Sequence, residues 1–164
     1  MIKMAIALAK KSHDVFTKAK RSEVMARIRS RGNKGTELVL AGWLRRHKLS
    51  GWRRHIEIRE RRAGAVVLKV RPDFVFPRRR LAVFVDGCFW HGCPRHGTKP
   101  KGNRSFWRRK FAVNQARDGR VNRGLRRAGW RVLRLWEHEL TKRNEGRAMG
   151  RVRRAWGKGD HPSP

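Results

Sequence analysis

Acidic residues are scarce in this sequence. Twelve Asp and Glu stand against 44 Lys and Arg in 164 residues, which gives a formal net charge of +32. Self-repulsion of that size destabilises a compact domain unless a polyanion neutralises it, and a small soluble domain needs a net charge of only about 2 to 8 for solubility. Charge that merely solubilises the chain is therefore a poor explanation, and nucleic acid is the expected partner.

Long apolar runs and cysteines are also few. No stretch approaches the ~18 apolar residues of a membrane-spanning helix, and the opening MIKMAIALAKK has too short an apolar core for a signal peptide. A membrane is therefore not an expected partner. The two cysteines lie five positions apart inside one Cys/His cluster. That arrangement favours reduced metal ligands in a cytoplasmic protein over a disulfide framework.

Length and composition favour one folded domain. A chain of 164 residues with 38% hydrophobic content can bury one core, and no internal repeat divides it. We expect basic, flexible segments at residues 1–20 and 145–164, on either side of a folded domain at residues 21–144.

Hydrophobic periodicity predicts a mixed α/β domain. A short helix is predicted at SEVMARIRS and another after the N-cap Thr36, with one shared face formed by Leu40, Trp43, Leu44 and His47. Three strands follow as a meander at WRRHIEI, AVVLKVRPDFVF and LAVFVD, separated by the turn-like segments RERRAG and PRRR. A helix from Ser105 to Ala128 closed by Gly129, a strand at WRVLRLW and a short EHEL turn complete the order.

Both cysteines belong to the segment VDGCFWHGCPRH at residues 85–96. Cys88, Cys93 and His96 are spaced C-x4-C-x2-H on a loop with Gly and Pro, where backbone bends can turn several ligands toward one centre. Zinc favours four tetrahedral sulfur and nitrogen ligands. The fourth is expected from His138, just past the WRVLRLW strand, with His91 as the alternative. The competing interpretation is a pair of buried reduced cysteines with solvated histidines.

The few acids that follow predicted strands indicate a second metal site. Asp73 follows a Pro inside an apolar strand and Asp86 ends the next strand, so both can present carboxylates to one Mg²⁺, which also binds phosphate oxygens. His91 can serve as the base for the water that attacks a phosphodiester. From spacing alone, Asp73 can also be a strand-edge acid paired with Arg, and Asp86 can cap the turn at Gly87.

Four segments together resemble the very-short-patch-repair (Vsr) DNA mismatch endonuclease family over about residues 20–140: RPDFVF, VFVDGCFWHGCPRH, NRSFWRRKFAVNQARD and GWRVLRLWEHEL. The resemblance implies a restriction-endonuclease-like (PD-(D/E)xK) α/β core, in which helices flank a mixed central sheet and a structural zinc is bound. It also implies that residues 21–144 are a Mg²⁺-dependent endonuclease domain that nicks one DNA strand beside a T:G mismatch.

The resemblance assigns roles to individual positions. Asp73 matches the family's metal-binding aspartate, His91 its catalytic histidine, and Glu37 the acid that supports the metal-bound water. Val85, where a family member can have Thr, is assigned a backbone carbonyl contact to magnesium, and Asp86 is a further candidate magnesium ligand. The family's zinc ligands coincide with the set that spacing predicts.

The resemblance also gives the aromatic residues a role. It implies that Phe89, Trp90 and Trp107 wedge between bases at the mismatch, and Asn114 is a further candidate for DNA contact. Inserting rings into a base stack costs a few kcal/mol per step and less where the pair is already mismatched. The alternative for each ring is core packing.

The expected protein is therefore a cytoplasmic, nucleoid-associated bacterial monomer that acts on mismatched double-stranded DNA, with mismatch-repair proteins as further partners. A non-catalytic zinc protein that binds distorted duplexes is the main alternative. An RNA-binding ribosomal or chaperone-like protein would explain the charge but not the clustering of Asp73, Asp86 and His91. A zinc deaminase is disfavoured because the H-x-E and P-C-x-x-C pairing is missing.

Overall fold

The computed structural model describes residues 36–97 and 103–157. The helix predicted at SEVMARIRS, the basic segment at residues 1–20 and the chain from residue 158 onward lie outside the described residues. The described elements, in chain order, are α1 (Glu37–Arg46), β1 (Arg53–Arg54), β2 (Ile58–Arg62), β3 (Ala65–Val70), β4 (Phe74–Phe76), β5 (Leu81–Asp86), α2 (Arg104–Arg127), β6 (Arg131–Trp136) and α3 (Glu145–Gly157).

A mixed four-stranded sheet lies at the centre, with strand order β1-β4-β5-β6. The pairs β1–β4 and β4–β5 are antiparallel, whereas β5 and β6 are parallel and in register from Leu81↔Arg131 to Asp86↔Trp136. Parallel neighbours need a long crossover connection, and α2 lies within that connection. The prediction of a mixed sheet flanked by helices is confirmed.

The strands before β4 differ from the predicted meander. RERRAG was expected to be a turn, but residues 59–62 continue β2, and only Ala63 and Gly64, with φ of +47° and +79°, form the turn of a β2–β3 hairpin. This hairpin forms a separate two-stranded sheet. The arginines of β2 are exposed, so the strand could not be recognised from a run of apolar residues. The predicted strand AVVLKVRPDFVF is broken at Pro72, because proline has no N–H for the sheet.

The helices cover the two faces of the central sheet. On one face, α1 and α3 pack against the sheet in a core whose largest buried members include Leu40, Leu44, Phe74, Phe76, Leu81, Leu135 and Met149. On the other face, Leu125 of α2 and the hairpin residues Ile58 and Val70 pack against Val75 and Ala82. As predicted, α1 follows Thr36, although the Thr36 side chain makes no capping hydrogen bond.

The expectation that the chain from residue 145 is loosely ordered is wrong for residues 145–157, which form α3. Ala148, Met149 and Val152 of this helix are each only 1% exposed, so one narrow apolar stripe among many arginines is enough to dock it. Arg79 and Arg131 donate hydrogen bonds to carbonyls of its last turn, which have no partners inside the helix. The residues that stabilise α3 are thus distant in sequence.

A search of the described residues finds no helix both long enough and apolar enough to cross a lipid bilayer.

Candidate active site and metal centres

The Cys/His cluster forms where the parallel strands β5 and β6 end together. Asp86 pairs with Trp136 in the register of these strands, so Cys88 and His138, each two residues further along, meet at one edge of the sheet. Their Sγ and Nδ1 atoms are 3.2 Å apart, and Cys93 Sγ lies 3.5 Å from the same nitrogen. Tetrahedral zinc, with bonds of about 2.3 Å to sulfur and 2.0 Å to nitrogen, requires such atoms to be about 3.5 Å apart.

His96 completes a group of four donor side chains. Ligand atoms of Cys88, Cys93, His96 and His138 all lie within 4.8 Å of one another. The loop that carries Cys88, Cys93 and His96 is closed by backbone hydrogen bonds, including one from the Gly97 amide to the Cys93 carbonyl at 2.7 Å. A Cβ atom on Gly97 would lie 2.5 Å from that carbonyl, so this close approach requires glycine.

The electrostatics of the four donors fit a bound cation. Burial raises the pKa of the Cys88 thiol, so a thiolate at this position needs a positive charge beside it. Burial, together with the neighbouring His96, lowers the pKa of His138, which keeps the imidazole neutral and able to bind metal. Two sulfur and two nitrogen donors are the composition typical of structural zinc sites. The predicted ligand set is therefore brought together, and His91 lies outside it.

Asp73 belongs to a second donor group, together with Glu37 and His55. Ligand atoms of these three side chains lie within 4.8 Å of one another. Asp73 Oδ2 accepts a hydrogen bond from the backbone amide of Val85 at 2.7 Å, because β4 and β5 are antiparallel neighbours. Glu37, in the first turn of α1, is only 5% exposed, and its Oε2 lies 3.0 Å from His55 Nε2. Sequence reasoning predicted Asp73 and Glu37 but missed His55.

Asp73 is electrostatically unfavourable as an isolated anion. Burial raises its pKa to about 6, and the nearby carboxylates of Glu37 and Asp86 add to the shift, while the Val85 amide opposes it. A divalent cation would relieve both the desolvation and the repulsion. Buried carboxylates that converge with a histidine therefore fit a divalent metal ion. The Arg54 guanidinium contacts Glu37 and supplies part of the balancing charge.

Asp86 is not part of this donor group within the described residues. Its two carboxylate oxygens each accept a hydrogen bond of 2.6 Å from the guanidinium of Arg134 on β6. Asp86 is 5% exposed, and a bidentate Arg pair satisfies a buried carboxylate without a metal. The predicted convergence of Asp73 and Asp86 on one ion is thus not seen in this geometry.

His91 lies on the loop after β5 and pairs with Asp118 of α2. Its Nδ1 is 2.6 Å from Asp118 Oδ2, and the other Asp118 oxygen is 2.9 Å from Arg134 Nη2. When Nδ1 carries the proton donated to Asp118, the second ring nitrogen Nε2 is free to accept one. This geometry suits a general base held by an acid.

Both catalytic candidates face one groove. Its volume is about 480 Å³, and it is lined by hairpin, strand, loop and helix residues that include Lys69, Arg71, Asp73, Asp86, His91, Arg117, Asp118 and Arg134. Acids that can bind metal, a candidate base and cations that can bind phosphate thus surround a single cleft.

The aromatic residues of the loop form a cluster with rings of α2. Phe89 packs edge-on against Trp90 and Trp107, each at 5.0 Å between ring centroids, and against Phe111 at 5.6 Å. These rings are half-buried and belong to neither core cluster, which argues against simple core packing. Asn114 Nδ2 donates to the Trp90 carbonyl at 2.8 Å, so in this structure Asn114 holds the loop to α2.

Three site residues escaped sequence reasoning: His55, Asp118 and Arg134. Asp118 did leave a signal, because it is the only acid in the sequence of α2. His55 and Arg134 could not be distinguished from the many other basic residues before the fold positioned them.

Comparison with known proteins identifies relatives among DNA endonucleases. A sequence model of a family described as DNA mismatch endonuclease Vsr matches residues 13–96. The type II nicking enzyme V.NaeI of Lentzea aerocolonigenes is 57% identical over 72 residues, which cover 44% of this chain and 43% of that enzyme. V.NmeDIP of Neisseria meningitidis serogroup C, also a type II nicking enzyme, is 37% identical over 131 residues, 79% of this chain and 81% of the relative.

The DNA mismatch endonuclease Vsr of Escherichia coli is 35% identical over 133 residues, which cover 80% of this chain and 78% of that enzyme. The match to V.NaeI spans less than half of that relative, whereas the matches to the Neisseria and Escherichia enzymes span about four fifths of each relative.

Proposed function

Since the chain belongs to the Vsr family of DNA mismatch endonucleases, we propose that it nicks one strand of duplex DNA beside a T:G mismatch, in very-short-patch mismatch repair. The observation that carries this proposal is the groove in which Asp73 and the His91–Asp118 pair lie together. The mixed sheet with helices on both faces is consistent with a restriction-endonuclease-like core.

The divalent ion in this proposal is Mg²⁺, held by Asp73 with Glu37 and His55, and with the Val85 carbonyl as a further ligand. When bound, Mg²⁺ polarises the scissile phosphate and stabilises the charge that develops on it. Asp86 is left out of this site because Arg134 occupies both of its oxygens.

The chain's own residues supply the proton transfer. His91 Nε2 accepts a proton from the attacking water, while Asp118 holds the imidazole through Nδ1 and stabilises its positive charge. The water oxygen bonds to phosphorus and the bond from phosphorus to the 3′ oxygen breaks, so that a 5′-phosphate and, after protonation by solvent, a 3′-hydroxyl remain. Lys69, Arg71 and Arg117 line the groove and would bind phosphates on either side of the bond.

The remaining features serve recognition and stability in this proposal. A structural zinc at the four Cys and His donors fixes the loop that carries both His91 and the rings Phe89 and Trp90. These rings, with Trp107, wedge into the mismatch. We propose a monomer that works on DNA in the bacterial cytoplasm, at the nucleoid, with mismatch-repair proteins as further partners.

A non-catalytic protein that binds distorted DNA is the competing function, and a nicking assay separates the two. Purified protein with Mg²⁺ should nick a T:G duplex faster than a matched duplex of the same sequence. Asp73→Asn and His91→Ala should each abolish nicking and retain duplex binding, because they remove a metal ligand and a base rather than phosphate contacts.

His47→Ala is a matched histidine control, because His47 is similarly exposed but contacts Glu145 on the opposite face of the sheet. It should nick like the parent. Unimpaired cleavage by Asp73→Asn or His91→Ala would refute the role of that residue. A parent that binds T:G duplexes selectively and nicks neither duplex would favour the non-catalytic function.

A further inference from the structure

The β2–β3 hairpin is firmly attached to the domain on its inner side. Ile58 and Val70 lie in the core with Leu125, and Glu60 accepts a hydrogen bond of 3.0 Å from the Trp130 indole. Leu68 packs so closely on Gly124 of α2 that a Cβ there would lie 3.1 Å from it. The hairpin is thus held in a fixed direction although it pairs with no strand of the central sheet.

The outer side of the hairpin concentrates positive charge. Residues 58–71 contain five basic residues and one acid. Arg59 and Lys69 are directly opposite each other across the strands, an arrangement of like charges that is destabilising by itself. Glu57 partly offsets it, since it pairs with Arg59, with Lys69 at 3.5 Å and with Arg71 at 3.4 Å, but one carboxylate serves three cations.

The end of the hairpin is both basic and apolar. Arg61 and Arg62 are exposed there, next to Val66 and Val67, which are 46% and 60% exposed. Two exposed arginines on a rigid support lose little conformational freedom when they bind a fixed array of anions.

This surface continues into the catalytic groove. Lys69, Val70 and Arg71 at the base of the hairpin line the same groove as Asp73 and His91. An anionic polymer whose scissile phosphate lies at Asp73 would therefore pass along the hairpin as it leaves the groove.

We propose that the β2–β3 hairpin is a DNA-binding arm that contacts backbone phosphates of the substrate duplex outside the nicking site. The inference rests on the proposed function only in that the substrate is duplex DNA. A six-residue strand is about 20 Å long, and base pairs are spaced at about 3.4 Å, so Arg61 and Arg62 reach phosphates up to about six base pairs from the nick. The contact is independent of base sequence, because phosphates carry no sequence information.

The test compares two double variants that each remove two exposed positive charges. Arg61→Gln with Arg62→Gln changes the arm, whereas Lys48→Gln with Arg154→Gln changes exposed residues of the opposite face, at the end of α1 and on α3. Binding to a matched duplex is measured by fluorescence anisotropy at several salt concentrations, without Mg²⁺. Loss of two phosphate contacts should lower the slope of log K against log[salt] by about 2, while the control pair should leave it within error of the parent.

Two further measurements separate a phosphate contact from a change in the fold. Arg61→Lys with Arg62→Lys should restore the slope, because the charge is restored. With a T:G duplex, which fixes the position of the protein, removing six base pairs on one side of the mismatch should weaken binding of the parent several-fold and leave binding of the arm variant unaffected. Because these are binding measurements, they test the arm even if the chain nicks nothing.

An unchanged slope in the arm variant, or equal losses in both double variants, would overturn the proposal. So would a change in oligomeric state with unaltered DNA binding, detected by sedimentation, because it would make the hairpin a protein-binding edge instead.

Discussion

Asp73 is the residue whose chemistry depends most on its surroundings. It is largely buried next to Glu37, and burial raises its pKa to about 6. Near neutral pH the Asp73 carboxylate is therefore ionised, although its buried surroundings disfavour the negative charge. In the unfolded chain the same group titrates near 3.8. The folded state therefore binds a proton more tightly than the unfolded state, and the stability that this provides at low pH is lost as pH rises through about 4 to 6.

Asp73→Asn should consequently stabilise the protein in Mg²⁺-free buffer at pH 8. The gain relative to the parent should grow between pH 4 and about 6 and then level off, at up to about 3 kcal/mol, since one pKa unit corresponds to about 1.4 kcal/mol. Urea unfolding at a series of pH values measures it. Saturating Mg²⁺ should stabilise the parent and reduce the gap. A gap that does not vary with pH would contradict the electrostatic account of this site.

His91 and Asp118 should behave as one catalytic unit. Asp118→Asn keeps the size of the side chain but removes the charge that stabilises the imidazolium, so nicking should fall by about 10² to 10⁴, the range of general-base effects. Adding Asp118→Asn to His91→Ala should cost little more, because residues that act together are not additive. Single-turnover nicking rates of both single variants and the double variant measure this coupling. Fully additive losses would mean that Asp118 acts through Arg134 and not through His91.

Among the elements, the loop between β5 and α2 carries residues proposed for recognition, for catalysis and for metal binding. Three of the four zinc-type donors lie in this loop and were predictable because they are close in sequence; the fourth, His138, was predictable because it follows a strand. The parallel register of β5 and β6 then brings Cys88 and His138 together. The partnership of His91 with Asp118 was not predictable in the same way, since it depends on how α2 docks on the sheet. The hairpin was missed because RERRAG has the composition of a turn and only tertiary packing of Ile58 and Val70 makes it a strand.

Zinc should hold this loop in place. Purified protein is expected to contain about one equivalent of zinc, and Cys88→Ser should lose both metal and stability, because structural zinc contributes directly to folding free energy. Metal analysis and thermal unfolding of parent and variant provide the measurements. His91→Ala is the control, since its zinc content should stay unchanged. A metal-free protein as stable as the metal-containing one would refute the structural role.

The rings of the same loop should determine which duplex is cut. Phe89 and Trp90 stand next to Cys88 and His91 in the sequence, so a loop fixed by zinc would hold the proposed wedge at a set distance from the proposed base. Phe89→Ala with Trp90→Ala should lower nicking of T:G duplexes strongly and change binding to matched duplexes little, because that binding depends on phosphate contacts. Rates and affinities of both duplexes are compared at one salt concentration. Equal losses on both duplexes would indicate that the rings serve the fold.

At the scale of the whole molecule, the excess of 32 positive charges and the aromatic cluster should control different quantities. Charge should control affinity: a protein that makes about 6 to 10 phosphate contacts loses about 10³ to 10⁵ in affinity between 50 and 200 mM salt. T:G and matched duplexes have the same phosphates, so salt should weaken both by the same factor. The proposed insertion of the ring cluster between bases would release few counterions, so the ratio of T:G to matched nicking under single-turnover, saturating conditions should stay constant over the same range. The measurement is a set of binding and nicking curves for both duplexes from 50 to 300 mM salt.

A flat salt response would mean that DNA does not bind to the basic surface. A nicking ratio that falls toward one as salt rises would mean that discrimination depends on phosphate contacts, and the aromatic wedge would then lose its role.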